Sequence, residues 1–154
     1  MKALTIWQPW ASLIAIGAKP YEFRRWPAPR SLHGQRVAIH AGVRKINRTE
    51  IRALIIALRG KEPGRQALKP DLALALLDRL FSDPTRAPLG VIVATAVLGA
   101  PVRADKIMSE FGVSIANDSD RDEAFNYAWP LSSIEPLAPP IPARGAQGFW
   151  EWIA

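Results

Sequence analysis

Apolar residues change their spacing along the chain, and each change marks an element. Ala3-Leu4-Thr5-Ile6 reads as a short strand. Gln8-Pro9 then opens a helix, because proline suits a first helical turn, and Trp10, Leu13, Ile14 and Gly17 follow at i, i+3, i+4 and i+7. Tyr21 to Trp26 predicts a strand broken by Pro27-Ala28-Pro29, and Arg36 to Ala41 a second strand closed by Gly42. Asn47 followed by Glu50 is a helix-start signature. Ile51, Leu54, Ile55 and Leu58 then mark one helical face, ended by Gly60. Pro70-Asp71 opens a further helix, with Leu72, Leu76, Leu77 and Leu80 facing inward. Val91 to Leu98 is apolar on both faces and predicts a buried central strand.

The remainder is less regular. Residues 104–111 predict a short helix, and 114–123 a polar, acidic loop. Tyr127 to Leu137 predicts a broken strand, with Pro130 at an edge or bulge. Pro136, Pro139, Pro140 and Pro142 stiffen a crossing segment, and Phe149 to Ile153 predicts a last strand. The order β-α-β-β-α-α-β-α-β-β does not alternate as a doubly wound sheet does. It predicts an α+β fold: one domain over residues 1–154, a small, mostly antiparallel β-barrel with peripheral helices.

Composition narrows the chemistry. With 154 residues, 49% apolar and 22% charged, the chain is long enough to bury a core. It has no cysteine, which excludes disulfides and thiol nucleophiles. With only His33 and His40, we expect no metal site and no cofactor. Residues 1–18 imitate a signal peptide, but Gln8-Pro9 interrupts the run and only Lys2 precedes it. No stretch reaches the roughly 18 apolar residues of a membrane helix. The expectation is a cytoplasmic protein with no membrane partner.

Charge is unevenly distributed. Residues 1–69 hold 14 Lys and Arg against 3 acidic residues, a net +11, whereas residues 70–154 hold 6 against 11, a net −5. The basic half is a candidate surface for a polyanion; a soluble protein whose folded surface mixes both halves fits the same count. Arg48, Arg52 and Arg59 fall within about 40° on a helical wheel. With Arg44 and Lys45 they form a basic stripe, either a nucleic-acid contact or a solvated helix face.

The densest candidate chemistry lies at Lys19-Pro20-Tyr21-Glu22-Phe23-Arg24. On a strand, Glu22 and Arg24 project to one face. Lys19 and Arg24 suit phosphate, and Glu22 suits the amino edge of a base. A local Glu22–Arg24 pair on a surface strand explains the same spacing. Among the nearby aromatics Trp7, Trp10, Tyr21, Phe23 and Trp26, we assign Trp10 and Phe23 to the core and Tyr21 and Trp26 to base stacking. His40, in an apolar strand, is expected to be a hydrogen-bonded, partly buried histidine rather than a general base. There is no P-loop, no G-x-S-x-G and no H-E-x-x-H.

Gln8-Pro9-Trp10-Ala11-Ser12, then Gly17-x-Lys19-x-x-Glu22-x-Arg24, resembles the ASCH family. His33-Gly34, Val37 to Ala41, Tyr127-Ala128-Trp129-Pro130-Leu131 and Arg144-Gly145-x-Gln147-Gly148-Phe149-Trp150 extend the likeness, which is weakest over residues 45–88. The resemblance implies a PUA-like barrel with a cleft between the Gln-Pro-Trp helix and the strand carrying Lys19, Glu22 and Arg24. It implies RNA as the partner, with DNA as a second candidate. One enzymatic branch of the family deacylates N4-acetylcytidine with a Lys, a Thr and a Glu; Lys19 matches that lysine, but Glu22 stands where the threonine belongs.

The leading expectation is therefore an RNA-binding module. Lys19 and Arg24 hold phosphate, Glu22 with Gln8 reads a base edge, Tyr21 or Trp26 stacks, and Arg48 and Arg52 extend the surface. The alternative is a metal-independent hydrolase using the same cleft, either a single-stranded RNA nuclease or an amidohydrolase on N4-acylated cytidine, with Lys19, Glu22 and Tyr21 catalytic. A third reading is a non-catalytic protein-interaction module using the proline-rich 136–142 segment or an uncovered strand edge. Sequence leaves the oligomeric state open.

Overall fold

A computed structural model of the chain describes residues 1–113 and 127–154. Ten helices and strands organise the described residues. They are β1 (Lys2–Ile6), α1 (Trp10–Ala15), β2 (Tyr21–Arg24), β3 (Arg36–Ala41), α2 (Arg48–Arg59), α3 (Pro70–Ser82), β4 (Val91–Leu98), β5 (Val102–Arg103), β6 (Tyr127–Pro142) and β7 (Phe149–Glu151).

The strands form one curled mixed sheet in the order β2-β6-β4-β3-β1-β7, with β5 also paired to β6. Only β1 and β3 run parallel; the other pairs are antiparallel. The architecture is the expected small α+β barrel, left open between β2 and β7 and flanked by three helices. Aromatic packing spans the opening: Trp129 on β6 stacks on Phe149 of β7 with ring centroids 5.8 Å apart and planes 8° from parallel.

β4 is central because its apolar run has two faces to bury. It lies between β3 and β6, and Ile92 to Ala96 and Leu98 are buried. One core fills the inside of the sheet, where Leu4, Ile6, Val37, Ile39 and Trp129 meet Ala11 and Ile14 of α1. A second joins Leu13 to Ile51, Leu54, Ile55 and Leu58 of α2 and Ala73, Leu77 and Leu80 of α3. α2 begins as its sequence predicts, with the Asn47 side chain accepting from the Glu50 N–H at 2.9 Å.

Several expectations need correction. On α3 the buried stripe is Ala73, Leu77 and Leu80, and Leu72 is exposed: the close approach of α2 selects the small Ala73 and turns Leu72 to solvent. Residues 104–111 are two 3-10 turns, Ala104–Lys106 and Met108–Phe111, pinned by buried Ala104 and Ile107 beside Phe23. β2 stops at Arg24, so Trp26 lies beyond it. The proline-rich segment is not a separate crossing: β6 runs through it, pairing Ile92 with Ile141 and Val91 with Pro142 across register shifts. No strand pairs with β6 on its other side there among the described residues, so the prolines interrupt no second ladder. Pro130 is internal, opposite Tyr21 of β2, with its carbonyl accepting from Gly99 N–H just beyond β4. The acidic loop expected at 114–123 lies outside the described residues.

The two charge halves interleave. Arg36–Glu135, Lys2–Glu151 and Arg59–Asp78 each join a base from the first half to an acid from the second. No helix among the described residues is long and apolar enough to cross a membrane.

Candidate functional site

Between β2 and β7, where the ladder is open, lies a cavity of about 670 Å³. Its walls are the end of β1 (Thr5, Ile6), Trp7 and Trp10, the β2 residues Glu22, Phe23 and Arg24, His40 and Gly42 of β3 and its end, and the 145–148 segment leading into β7.

The Lys19-to-Arg24 stretch enters this site through the end of α1. Gly17 adopts φ +76°, and the N–H groups of both Ala18 and Lys19 turn back onto the Leu13 carbonyl. The turn carries Lys19 under the helix instead of out to solvent. Its side chain is fully buried, donates to the Tyr21 carbonyl at 2.7 Å, and lies 5.4 Å from the Trp10 ring centroid and 5.2 Å from that of Phe23. Lys19 Nζ is 3.5 Å from Glu22 Oε2, while Arg24 donates to Glu22 Oε1 through Nε and Nη2, both at 2.9 Å. The three charges therefore converge, with Glu22 in the middle. Glu22 and Arg24 line the cavity; Lys19 lies behind them.

The other expected site residues go elsewhere. Gln8 is buried, and its amide is committed to the scaffold: Nε2 donates to Ser12 Oγ and to the Pro88 carbonyl, and Oε1 accepts from Ser12 N–H. It braces α1 against the loop before β4 and does not read a base. Tyr21 points away from the cavity. Its hydroxyl donates to both oxygens of Glu110, and burial, then that carboxylate, pushes its pKa up to about 12. It neither stacks in the cavity nor serves as a proton acceptor there. Trp26 is 56% exposed but lies outside the cavity, its carbonyl accepting from Trp129 Nε1. Arg48 caps α3 by donating to the Phe81 and Ser82 carbonyls, Arg44 pairs with Glu50, and Arg59 pairs with Asp78. Much of the basic stripe is thus tied to the fold; Arg52 is exposed on α2. Of the catalytic trio Lys19, Glu22 and Tyr21, only Glu22 reaches the cavity.

On the opposite wall His40 is hydrogen-bonded, as expected, and more deeply buried than expected. Its Nε2–H donates to the Ala143 carbonyl at 3.1 Å, and Nδ1 faces Thr5 Oγ1 at 3.2 Å. Thr5 donates to the Ala146 carbonyl at 2.8 Å and accepts from Trp150 Nε1 at 3.1 Å. Burial lowers the His40 pKa, against a smaller opposing effect of the Ala143 bond. These bonds strap the 143–148 segment to β1 and β3. Gly145 is required there: a Cβ would sit 2.3 Å from the imidazole Cε1. Sequence reasoning missed Trp7, which is 59% exposed at the cavity rim with the Arg44 guanidinium 4.7 Å from its ring centroid. The available signal was its place between a strand end and a helix start. Among the described residues no three His, Asp or Glu side chains gather to hold a metal ion.

Residues 4–112 match the ASCH domain. Solved structures similar to the chain include the ASCH protein of Zymomonas mobilis, 18% identical over 92% of this chain and 72% of that one, with a TM-score of 0.48. Two single-residue variants of the same protein match at 18% identity, with TM-scores of 0.48 and 0.47. No curated protein matches the chain.

Proposed function

The chain belongs to the ASCH domain family, and from that premise we propose that it binds single-stranded RNA by taking one unpaired base into the cavity between β2 and β7. The observation that carries this reading is the joint presence, in one cavity, of an apolar wall and an ionised fork. Ile6 and Trp10 supply the first, and Glu22 with Arg24 the second. The volume suits a small organic ligand, which such pockets hold at about 300–1,000 Å³. The Glu22 carboxylate on the cavity wall is an acceptor-only group, the chemistry that matches the amino edge of a base. Arg24 spends two of its five N–H groups on Glu22, which leaves donors for a phosphate oxygen. Lys19 does not touch the ligand; it holds Glu22 in place from behind.

The hydrolase alternative has less support, because its three proposed groups do not meet in the cavity. The protein-interaction alternative would have to use 136–142 as a strand edge rather than as a free proline-rich segment, because β6 runs through it. The test is polarisation binding of a fluorescein-labelled, mixed-sequence RNA hexamer pool, with the matching DNA pool beside it. Wild-type binding should weaken with salt. Arg24→Ala should lose at least about tenfold, the scale of one charge-assisted hydrogen bond. RNA binding that is absent, or unchanged in Arg24→Ala, would refute the reading.

A further inference from the structure

We propose that Trp7 and Arg44 form a second, external subsite at the cavity mouth that stacks the nucleotide next to the pocketed base, so that the ligand is a polynucleotide and not a free nucleoside. This rests on the binding reading above and adds a ligand length to it.

The starting observation is an exposed tryptophan whose backbone is fixed. The Trp7 carbonyl accepts from Ala11 N–H at 3.2 Å, anchoring it between β1 and α1. The side chain nevertheless stays 59% exposed. Water contact with that much indole is unfavourable, and an aromatic held this way costs little ordering entropy when a base covers it. Its position is set from two sides. A Cβ at Gly42 would lie 3.2 Å from Trp7 Cδ1, close enough that the ring would have to give by a few tenths of an ångström. Arg44 lies over the ring at 4.7 Å and is itself paired with Glu50 at the start of α2. The ring is therefore oriented before any ligand arrives.

Trp7 also lines the cavity that Glu22 and Arg24 line. A base inside the cavity and a base against Trp7 are thus neighbours along one strand. The charge pattern agrees. Arg44 over the ring and Lys45, its neighbour in sequence, are both exposed cations. A free nucleoside has no use for an aromatic and a guanidinium outside its pocket. Stacking on an unpaired base is tolerant of sequence, because every base has a π-face, so this subsite adds affinity without reading identity.

The test compares wild type with Trp7→Ala, Trp7→Phe, Arg44→Ala and Arg24→Ala. The probes are the labelled RNA hexamer pool and, by competition, the four nucleoside 5′-monophosphates. Trp7→Ala should weaken hexamer binding roughly 5- to 100-fold, weaken monophosphate competition by much less, and be largely rescued by Trp7→Phe. Arg44→Ala should weaken the hexamer alone, and Arg24→Ala both ligands. A wild type that captures the hexamer but no monophosphate supports the proposal if Trp7→Ala still weakens the hexamer. Hexamer binding unaffected by Trp7→Ala overturns it, as does equal weakening of hexamer and monophosphates, while the base-pocket reading survives both. If wild type binds neither probe, both readings fall together.

Discussion

Replacing Glu22 by Gln removes a negative charge that Lys19 and Arg24 share. Lys19 is fully buried beside the Tyr21 carbonyl and two aromatic faces, and the change takes the Glu22 carboxylate away from its ammonium. At the 3.5 Å separation of Nζ and Oε2, and an effective dielectric of about 20, the attraction is about 5 kcal/mol. The cost of desolvating both groups offsets much of that, but the desolvation of Lys19 remains when only the carboxylate is removed. Glu22→Gln should therefore cost about 3–5 kcal/mol of folding stability, a large share of the roughly 5–15 kcal/mol usual for a domain. Lys19→Met should cost less, about 1–3 kcal/mol, because Arg24 still balances Glu22 and the main loss is the partner of the Tyr21 carbonyl. The double variant removes both members of the ion pair, so it should cost about 2 kcal/mol less than the two single changes added together. Urea denaturation of the four proteins, read by tryptophan fluorescence and circular dichroism, measures this coupling. Additivity within about 0.5 kcal/mol would mean that the two charges do not interact.

Three further outcomes follow from the geometry. The folded-state pKa of His40 lies below its ordinary value of 6.5, so between the two the unfolded chain binds more protons. Stability should fall as pH drops below about 6.5 and level off below the folded-state pKa; urea midpoints from pH 5 to 8 measure it, and His40→Gln should flatten the slope. Asp83 and Glu151, whose pKa values are also lowered by their partners, lose their contribution only in the more acidic carboxylate range. Gly64→Ala should destabilise by roughly 3 kcal/mol or more, because its Cβ would fall 1.9 Å from the Phe111 carbonyl oxygen, which is backbone; a thermal midpoint within a few degrees of wild type would contradict that packing. Arg48→Ala should cost about 1 kcal/mol by uncapping α3 while leaving RNA affinity within about twofold, as paired melting and binding measurements would show.

What was legible beforehand was whatever local chemistry controls. The Asn47–Glu50 start of α2, the two-faced run of β4 and the Gly17 end of α1 depend on neighbours within a few residues, and each is found where its residues predict. The Glu22–Arg24 pair was equally readable, because alternate strand residues share a face. The resemblance to the ASCH family rested on short motifs of the same local kind. Burial and contact between distant segments were not readable. Lys19 carries a charge that sequence alone sends to solvent, yet the turn after α1 drives it beneath Trp10 and against Phe23. Gln8 looks like a base reader until Ser12 and Pro88 take up its amide. Tyr21 becomes a partner of Glu110, a residue 89 positions away. Trp7 gains its place at the cavity mouth only because β3 brings Gly42 and Arg44 alongside it. Residue spacing determines which side chains share a face of one element; only the folded chain determines which faces are covered, and by what, because burial is set by neighbours that the sequence places far away.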